Sequence, residues 1–218
     1  MNASSSSPQA PAFGDSSSWR QLEPWSVHGE EPAASAQLWG LAMRTASGLR
    51  LGYRLTWTPA VFTPKLQPPA ATSSDPQRMG GLWQHTCFEA FLGISGSNAY
   101  WEFNLSPSLD WNVYRFTSYR KGQQADPTYA CMPLQVIGPR SAPAAGDCRL
   151  AAPRAMLELE LTCALPPDLD DLVSSSPSLD LGLSAVLEAR DGALSYWALN
   201  HPGTEPDFHD RRGWSLRL

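Results

Sequence analysis

The chain has 218 residues and a formal net charge of −5, with only 17% charged residues. This length fits one domain with a well-buried core. The mild acidity and the lack of a basic stripe argue against nucleic acid or an anionic membrane as partners, and no stretch reaches the roughly 18 consecutive apolar residues of a membrane span.

The composition favours an all-β fold. There are nine Trp, twenty Pro and sixteen Gly residues, and many aromatics with many turn formers are typical of short strands. Residues 1–18 are rich in Ser and Pro, so we expect a disordered tail before a single domain over 19–218. The chain begins without the basic and apolar segments of a secretory signal, which predicts a cytoplasmic location.

The first strands form a predicted hairpin. Gln37 to Met43 and Leu49 to Thr58 flank the turn sequence "TASG". The second strand alternates with a period of two, so five apolar side chains should share the core face. These are Leu49, Leu51, Tyr53, Leu55 and Trp57.

Further strands follow along the chain. They are predicted at Leu82 to Ile94, Ala99 to Leu105, Trp111 to Phe116, Met132 to Ile137 and Arg154 to Leu165, then as a hairpin of Leu179 to Arg190 with Leu194 to Leu199, and last in "GWSLRL". Nine or ten short strands separated by turns predict an antiparallel β-sandwich or barrel.

The motifs of common enzymes are missing from the sequence. It has no G-x-S-x-G elbow, no P-loop and no H-E-x-x-H. None of the four cysteines forms a C-x-x-C pair, so we predict neither a metal site nor a cofactor. Cys87 and Cys163 lie in apolar strands and should be buried, reduced thiols.

Side-chain alternation separates two faces in the central strands. In the predicted strand from Leu82 to Ile94, one face holds Trp83, His85, Cys87, Glu89 and Phe91. In the predicted strand from Ala99 to Leu105, the side chains of Tyr100, Glu102 and Asn104 lie on the face opposite to Trp101, Phe103 and Leu105. The uniformly apolar set should point to the core.

The polar set is a candidate binding face. If the two strands pair, Glu89 and Glu102 lie on one face with Tyr100, Asn104 and Trp83. Carboxylates and amides bind sugar hydroxyls, while aromatic rings stack on the C–H faces of the sugar. The alternative is a solvated outer face, which alternation alone also produces.

Two further groups of residues have both a functional and a structural interpretation. Trp111 and Asn112 follow a turn, where a Trp either stacks on a ligand or covers the end of the fold. The segment from His201 to His209 contains residue types that bind metals or transfer protons. Its spacing matches no metal pattern, and a histidine that fastens this loop to the sheet is the preferred interpretation.

The chain resembles bacterial DOMON-like proteins, which are relatives of the family 9 carbohydrate-binding modules. The resemblance lies in "GLWQHTCFEAFLG" (81–93), "YWEFNLSPSLDWNVYRFTSYRKG" (100–122), "LGLSAVLEARDG" (181–192) and "SYWALNHPGTEPDFHDRRGWSLRL" (195–218). One departure is Leu109, which stands where the family pattern has glycine in "SPSGDW".

The resemblance implies an immunoglobulin-like antiparallel β-sandwich of about nine or ten strands with a ligand face. By analogy with the sugar-binding branch, Glu89 and Glu102 would face the ligand, and Trp83 or Trp111 would stack on it. Other relatives bind haem through Met and His. The methionines Met79, Met132 and Met156 show no clear match to that pattern.

The predicted function is therefore a non-catalytic domain that binds a small molecule, and a saccharide is the ligand class that the residues and the resemblance favour. The predicted site comprises Trp83, His85, Glu89, Tyr100, Glu102, Asn104, Trp111, Asn112, His201 and His209. One alternative is a haem-binding module. Another is an enzyme acting on sugars, in which Glu89 or Glu102 works with one of His85, His201 and His209. The oligomeric state stays open.

Overall fold

The computed structural model describes residues 18–26, 36–60, 62–66, 76–141, 154–169 and 178–218. The predicted tail therefore lies, apart from residue 18, outside the described residues. The strands are β1 Arg20–Pro24, β2 Ala36–Thr45, β3 Gly48–Trp57, β4 Cys87–Ile94, β5 Tyr100–Leu105, β6 Trp111–Phe116, β7 Gln124–Ala125, β8 Gln135–Ser141, β9 Ala155–Cys163, β10 Leu179–Glu188, β11 Leu194–Ala198 and β12 Leu216–Arg217. Within the described ranges, no helix is long and apolar enough to cross a membrane.

Eleven of these strands form one curled antiparallel sheet. Their order is β7-β6-β5-β4-β10-β11-β1-β2-β3-β9-β8, and β12 pairs with β10 outside this path. Strand β1 connects the two halves of the sheet, because residues 20–22 pair with β2 while Glu23 and Pro24 pair with β11. The prediction of an all-β fold is confirmed. The finer prediction of a sandwich of nine or ten strands is not, because β1 joins the two halves into a half-barrel.

The core lies between the two halves of the curled sheet. All five side chains predicted to face inward from β3 belong to it, and so do Trp101, Phe103 and Leu105 of β5. Tyr53 connects the halves directly: its hydroxyl donates to the main-chain carbonyl of Glu89, and its ring packs 5.1 Å from that of Phe88. The outer face of these strands, opposite to the core, is the face on which a site can lie.

One predicted strand begins later than expected. Leu82–Gln84 form a short 3-10 helix, which follows Gly81 in a left-handed conformation with φ 74°. Strand β4 starts only at Cys87. Trp83 and His85 therefore do not continue the alternation of β4, and the prediction that they share a strand face with Glu89 is wrong.

The turn before β6 contains Leu109, which stands where the DOMON-like sequence pattern has glycine. Leu109 has φ 73°, a conformation that costs little for glycine but roughly 1–2 kcal/mol for other residues. Its half-buried side chain packs against the core, and its N–H donates to the carbonyl of Ser106 at 3.0 Å. Leucine thus adopts the backbone conformation that glycine favours, and the turn still forms.

Candidate functional site

The outer face of β4, β5, β6, β10 and β11 forms the floor of a cavity of about 520 Å³. The loop before β4 and the segment after β11 surround this floor. The lining residues are Trp83, Gln84, Glu89, Phe91, Glu102, Phe116, Arg120, Gln123, Val186, Leu194, Tyr196, Pro206, Phe208 and His209. This volume lies within the usual range for small-molecule sites, which is about 300–1,000 Å³.

Aromatic packing holds the C-terminal segment against the sheet. The ring of His209 lies 5.0 Å from that of Phe91 and 5.2 Å from that of Phe116, both edge-on. Tyr100 stacks on Phe116 with centroids 4.7 Å apart, and Trp214 joins the same cluster. The segment is therefore attached through a second small core on the outer face.

Two close approaches fix the end of that segment. Arg211 donates to the carbonyls of Ile94 and Ala99 at 3.0 and 2.8 Å, and it lies over the ring of Trp214. Gly182 of β10 provides the space for this ring, since a Cβ there would lie 2.5 Å from a Trp214 ring atom. The absence of a side chain at this position allows the segment to lie flat on the sheet.

Two buried carboxyls lie side by side on the cavity floor. Glu89 pairs in register with Asn104, so Glu102, two residues earlier on β5, is its diagonal neighbour on the same face. Glu102 accepts a hydrogen bond from Asn104 Nδ2 at 2.6 Å. Glu89 Oε1 is buried and has no hydrogen-bond partner among the described residues. The floor thus presents one partnered and one unpartnered carboxyl.

The surroundings of both carboxyls favour their neutral forms. Burial, together with the neighbouring Glu102, raises the pKa of Glu89 well above its ordinary value. Burial raises the pKa of Glu102 to about 7, against the opposing effects of the Asn104 hydrogen bond and of Arg120. Near neutral pH the two carboxyls on the cavity floor can therefore either donate or accept a proton.

A chain of hydrogen bonds holds the ring of His209 in place. The main-chain N–H of Arg120 donates to the hydroxyl oxygen of Tyr100 at 3.1 Å, and this hydroxyl is hydrogen-bonded to His209 Nδ1 at 2.7 Å. The other ring nitrogen, Nε2, lies 3.8 Å from Glu102 Oε2. Burial and the charge of Arg120 lower the pKa of His209 to about 4, so its ring is neutral.

Arg120 reaches the cavity from the loop after β6. It occupies a left-handed turn position with φ 54°, and its guanidinium donates to Asp207 at 2.9 Å. Tyr119 donates to the other oxygen of the same carboxylate. These contacts join the β6 loop to the C-terminal segment and close one side of the cavity.

The structure brings together six of the ten residues predicted for the site. Trp83, Glu89, Glu102 and His209 line the cavity. Tyr100 and Asn104 lie just behind the lining and hydrogen-bond to His209 and Glu102. The side chain of Trp83 is 37% exposed and packs edge-on against Tyr114, which leaves it accessible at the cavity mouth.

The other four predicted residues lie elsewhere. Trp111 belongs to the core and is 1% exposed, beneath the guanidinium of Arg78. Asn112 is buried and donates to the main-chain carbonyl of Met79. Trp111 faces the core, whereas Asn112 pairs with Asn104 on the opposite face and is engaged there by Met79 and Tyr114. Neither residue lines the cavity, so we leave both out of the proposed site.

Two of the predicted histidines have structural contacts instead. His85 hydrogen-bonds to Glu188 at 2.8 Å, and the same carboxylate accepts from Lys65. His201 Nε2 lies 2.9 Å from the carbonyl of Glu23. His201 thus fastens its loop to β1, which matches the structural interpretation of this segment.

Several lining residues were not predicted from the sequence. Phe116, Val186 and Tyr196 lie on the same sheet face as Glu102, so alternation extended to β6, β10 and β11 would have found them. Arg120 and Gln123 lie in a loop with no regular period. No sequence signal marks them, because tertiary contacts alone place them at the cavity.

No group of three or more metal-binding side chains is found in the described parts of the chain. Met132 and Met156 are buried, Met79 is 48% exposed, and none of these three methionines lines the cavity. The cavity therefore shows no Met–His pair of the kind expected for axial haem ligation.

Comparison with known proteins supports the fold. No family model and no curated protein matches the chain. The structure is similar to the crystal structure of a proposed carbohydrate-binding protein from Bacteroides uniformis, with a TM-score of 0.56 and 11% sequence identity. The match covers 90% of this chain and 83% of the other. At this identity the likeness shows a shared fold, and it does not extend to membership of the DOMON-like family.

Proposed function

We propose that this protein is a non-catalytic domain that binds a saccharide in the cavity on the outer sheet face. One observation carries the proposal: a 520 Å³ cavity combines buried carboxyls on its floor with aromatic side chains around its mouth. Carboxyls bind sugar hydroxyls through hydrogen bonds, and exposed rings bind the C–H faces of the sugar. The sugar-binding role ascribed to the Bacteroides uniformis protein supports the same class of ligand.

The proposed binding residues have distinct roles. Glu89 and Glu102 hydrogen-bond to hydroxyls from the floor, and His209 Nε2 offers a further hydrogen-bonding atom beside Glu102. Trp83 at the mouth and Tyr196 on β11 provide ring surface. A relationship to DOMON-like proteins and a cytoplasmic location remain parts of this proposal that rest on the sequence.

A carboxylate-dependent enzyme is the second candidate, because Glu89, Glu102 and His209 meet in one cavity. Glycoside hydrolysis uses two carboxyls that flank the scissile bond. Here both carboxyls project from adjacent strands of the same floor. The carbohydrate-binding role ascribed to the Bacteroides uniformis protein supports binding over cleavage.

A glycan array followed by titration calorimetry tests the proposal. We expect at least one glycan class to bind the wild-type protein and binding to weaken about fivefold or more in Trp83→Ala, in line with a loss of roughly 1 kcal/mol or more when a contacting ring is removed. Met43→Ala is the matched control, because Met43 has similar exposure at 38% and lies on β2 in the other half of the sheet. Absence of binding to any glycan at millimolar concentration would refute the proposal.

The same samples separate the two candidates. Glycans that bind are incubated with the protein, and the products are separated by chromatography. Intact glycans are expected after prolonged incubation. Cleavage that disappears in Glu102→Gln would instead establish the enzymatic candidate.

A further inference from the structure

The two carboxyls on the cavity floor lack a cation of their own among the described residues. Five of the lining residues have titratable side chains: Glu89, Glu102, Arg120, Tyr196 and His209. Arg120 is the only permanent cation among these described lining residues, and it is already paired with Asp207 at 2.9 Å. His209 is uncharged near neutral pH, because burial and the charge of Arg120 lower its pKa to about 4. The two carboxyls therefore share their one nearby lining cation with Asp207.

Glu89 shows where a partner is missing. Its side chain is almost fully buried, with 3% of the residue exposed, and its Oε1 has no hydrogen-bond partner among the described residues. A buried carboxyl oxygen without a partner costs free energy that a suitable donor would recover. Because Glu89 lines the cavity, its carboxyl lies beside the space that a ligand group would occupy.

The surroundings of the carboxyls are rich in aromatic side chains. Phe91, Phe116, Tyr196 and Phe208 all line the cavity, and an aromatic ring attracts a cation that lies over its face. An ammonium group donates up to three hydrogen bonds, and a charge-assisted bond to a carboxylate is about twice as strong as one between neutral groups. A neutral hydroxyl satisfies one acceptor but brings no charge that favours the ionised carboxyls.

We propose that the saccharide of this cavity carries a free, protonated amino group, which binds between Glu89 and Glu102. This inference rests on the proposed function and narrows its ligand to amino sugars. The imidazole of His209 and the ring of Trp83 then contact the rest of the sugar.

Proton release accompanies binding of such a ligand. The titratable groups that interact electrostatically with the two carboxyls are Tyr53, Cys87, Tyr100, Tyr114 and Arg120, and His209 Nε2 lies 3.8 Å from Glu102. Among them His209 is uncharged near neutral pH, and the charge of Arg120 is shared with Asp207. An incoming ammonium favours the ionised carboxyls, whose pKa values are raised in the empty cavity. Protons held on the floor are then released to the buffer.

Titration calorimetry on the wild-type protein tests the inference with matched sugars. Oligomers of glucosamine and galactosamine are compared with the N-acetylated forms and with the neutral parent sugars. We expect an amine-bearing oligomer to bind at least about tenfold tighter than its neutral and N-acetylated counterparts. Measurements at about pH 5.5, where the sugar amine is already protonated, in buffers of different ionisation enthalpy should show net proton release for the amino sugar and none for the neutral sugar.

Near-isosteric variants identify the responsible groups. Glu89→Gln and Glu102→Gln should each reduce the preference for the amine, while Glu160→Gln should keep it. Glu160 is a matched control because it lies on β9, in the other half of the sheet, where it forms an ion pair with Arg50 of β3. Circular dichroism checks that each variant is folded.

The possible results separate this inference from the proposed function. If neutral or N-acetylated oligomers bind as tightly as the amino sugars, the inference is overturned and the saccharide site stands. If no oligomer binds at millimolar concentration and the glycan array is also blank, the proposed function fails and the inference fails with it. Amine preference without proton release would also contradict the inference, because the carboxyls would then not be the groups that respond.

Discussion

The substitution Glu102→Gln tests the electrostatics of the cavity floor most directly. It replaces a buried titrating carboxyl by an amide of nearly the same shape. The new side-chain oxygen can still accept the hydrogen bond from Asn104 Nδ2, which is 2.6 Å long in the wild-type protein. The main change is therefore the loss of one proton-binding group, and packing should be preserved.

The magnitude follows from the pKa of Glu102. Its value in the folded protein is about 7, against an ordinary value of 4.5. Between these pH values the folded state holds a proton that the unfolded state has lost, so stability falls as the pH rises. At about 1.4 kcal/mol for each pKa unit, the free energy of unfolding should decrease by about 3 kcal/mol between pH 4.5 and pH 7 through this group alone.

His209 acts in the opposite direction over part of this range. Its pKa is lowered from 6.5 to about 4, so the unfolded state binds the extra proton and stability rises with pH between these values. The two effects offset each other in the wild-type protein between about pH 4.5 and 6.5. The contribution of Glu102 therefore appears in the difference between the wild type and the variant.

The assay is urea denaturation followed by tryptophan fluorescence at closely spaced pH values. Relative to the wild type, Glu102→Gln should gain about 3 kcal/mol of stability as the pH rises from 4.5 to 7.5. Glu89→Gln should show a change in the same direction, because its pKa is also raised by burial. A difference curve that is flat, or that falls with pH, would refute the conclusion that these carboxyls are held in their neutral forms.

Three further predictions concern the framework of the site. Gly182→Ala should destabilise the protein by roughly 1–3 kcal/mol, because the new Cβ would lie 2.5 Å from the Trp214 ring. Thermal unfolding measures this loss. The control Gly203→Ala should change the stability little, because the atom nearest to its Cβ would be 3.5 Å away. Tyr53→Phe should cost about 1 kcal/mol in urea denaturation, since it removes the buried hydrogen bond between the two halves of the sheet. In an NMR pH titration the imidazole of His209 should stay neutral down to about pH 4; protonation near 6.5 would contradict the buried hydrogen-bond chain.

Strand positions could be predicted where side chains alternate without interruption. The inward face of β3 is uniformly large and apolar, and all five predicted residues lie in the core. The region before β4 was less predictable, because a glycine pair leads into a short 3-10 helix at 82–84. A period-two pattern continues through such a segment in the sequence although the backbone no longer follows it.

The candidate site was predictable to the extent that it lies on strands. Glu89, Glu102 and Asn104 were placed correctly on one face, since they obey the alternation of β4 and β5. Trp111 was ambiguous because the sequence did not show which face of β6 it joins, and pairing with Leu105 turns it to the core. Arg120 was not predictable, because its place depends on Asp207, 87 residues later in the chain.

The sequence by itself determined the all-β class, the hairpins and the two faces of the central strands, because these depend on local alternation and on turn residues. Only the tertiary structure decided that β1 joins two halves into one curled sheet, since strand pairing is a long-range choice. It also decided that the segment carrying His209 folds back over Glu102 and turns an open polar face into a cavity. Enclosure changes the chemistry of that face: burial side by side raises the pKa values of carboxyls that would be fully ionised in water at neutral pH.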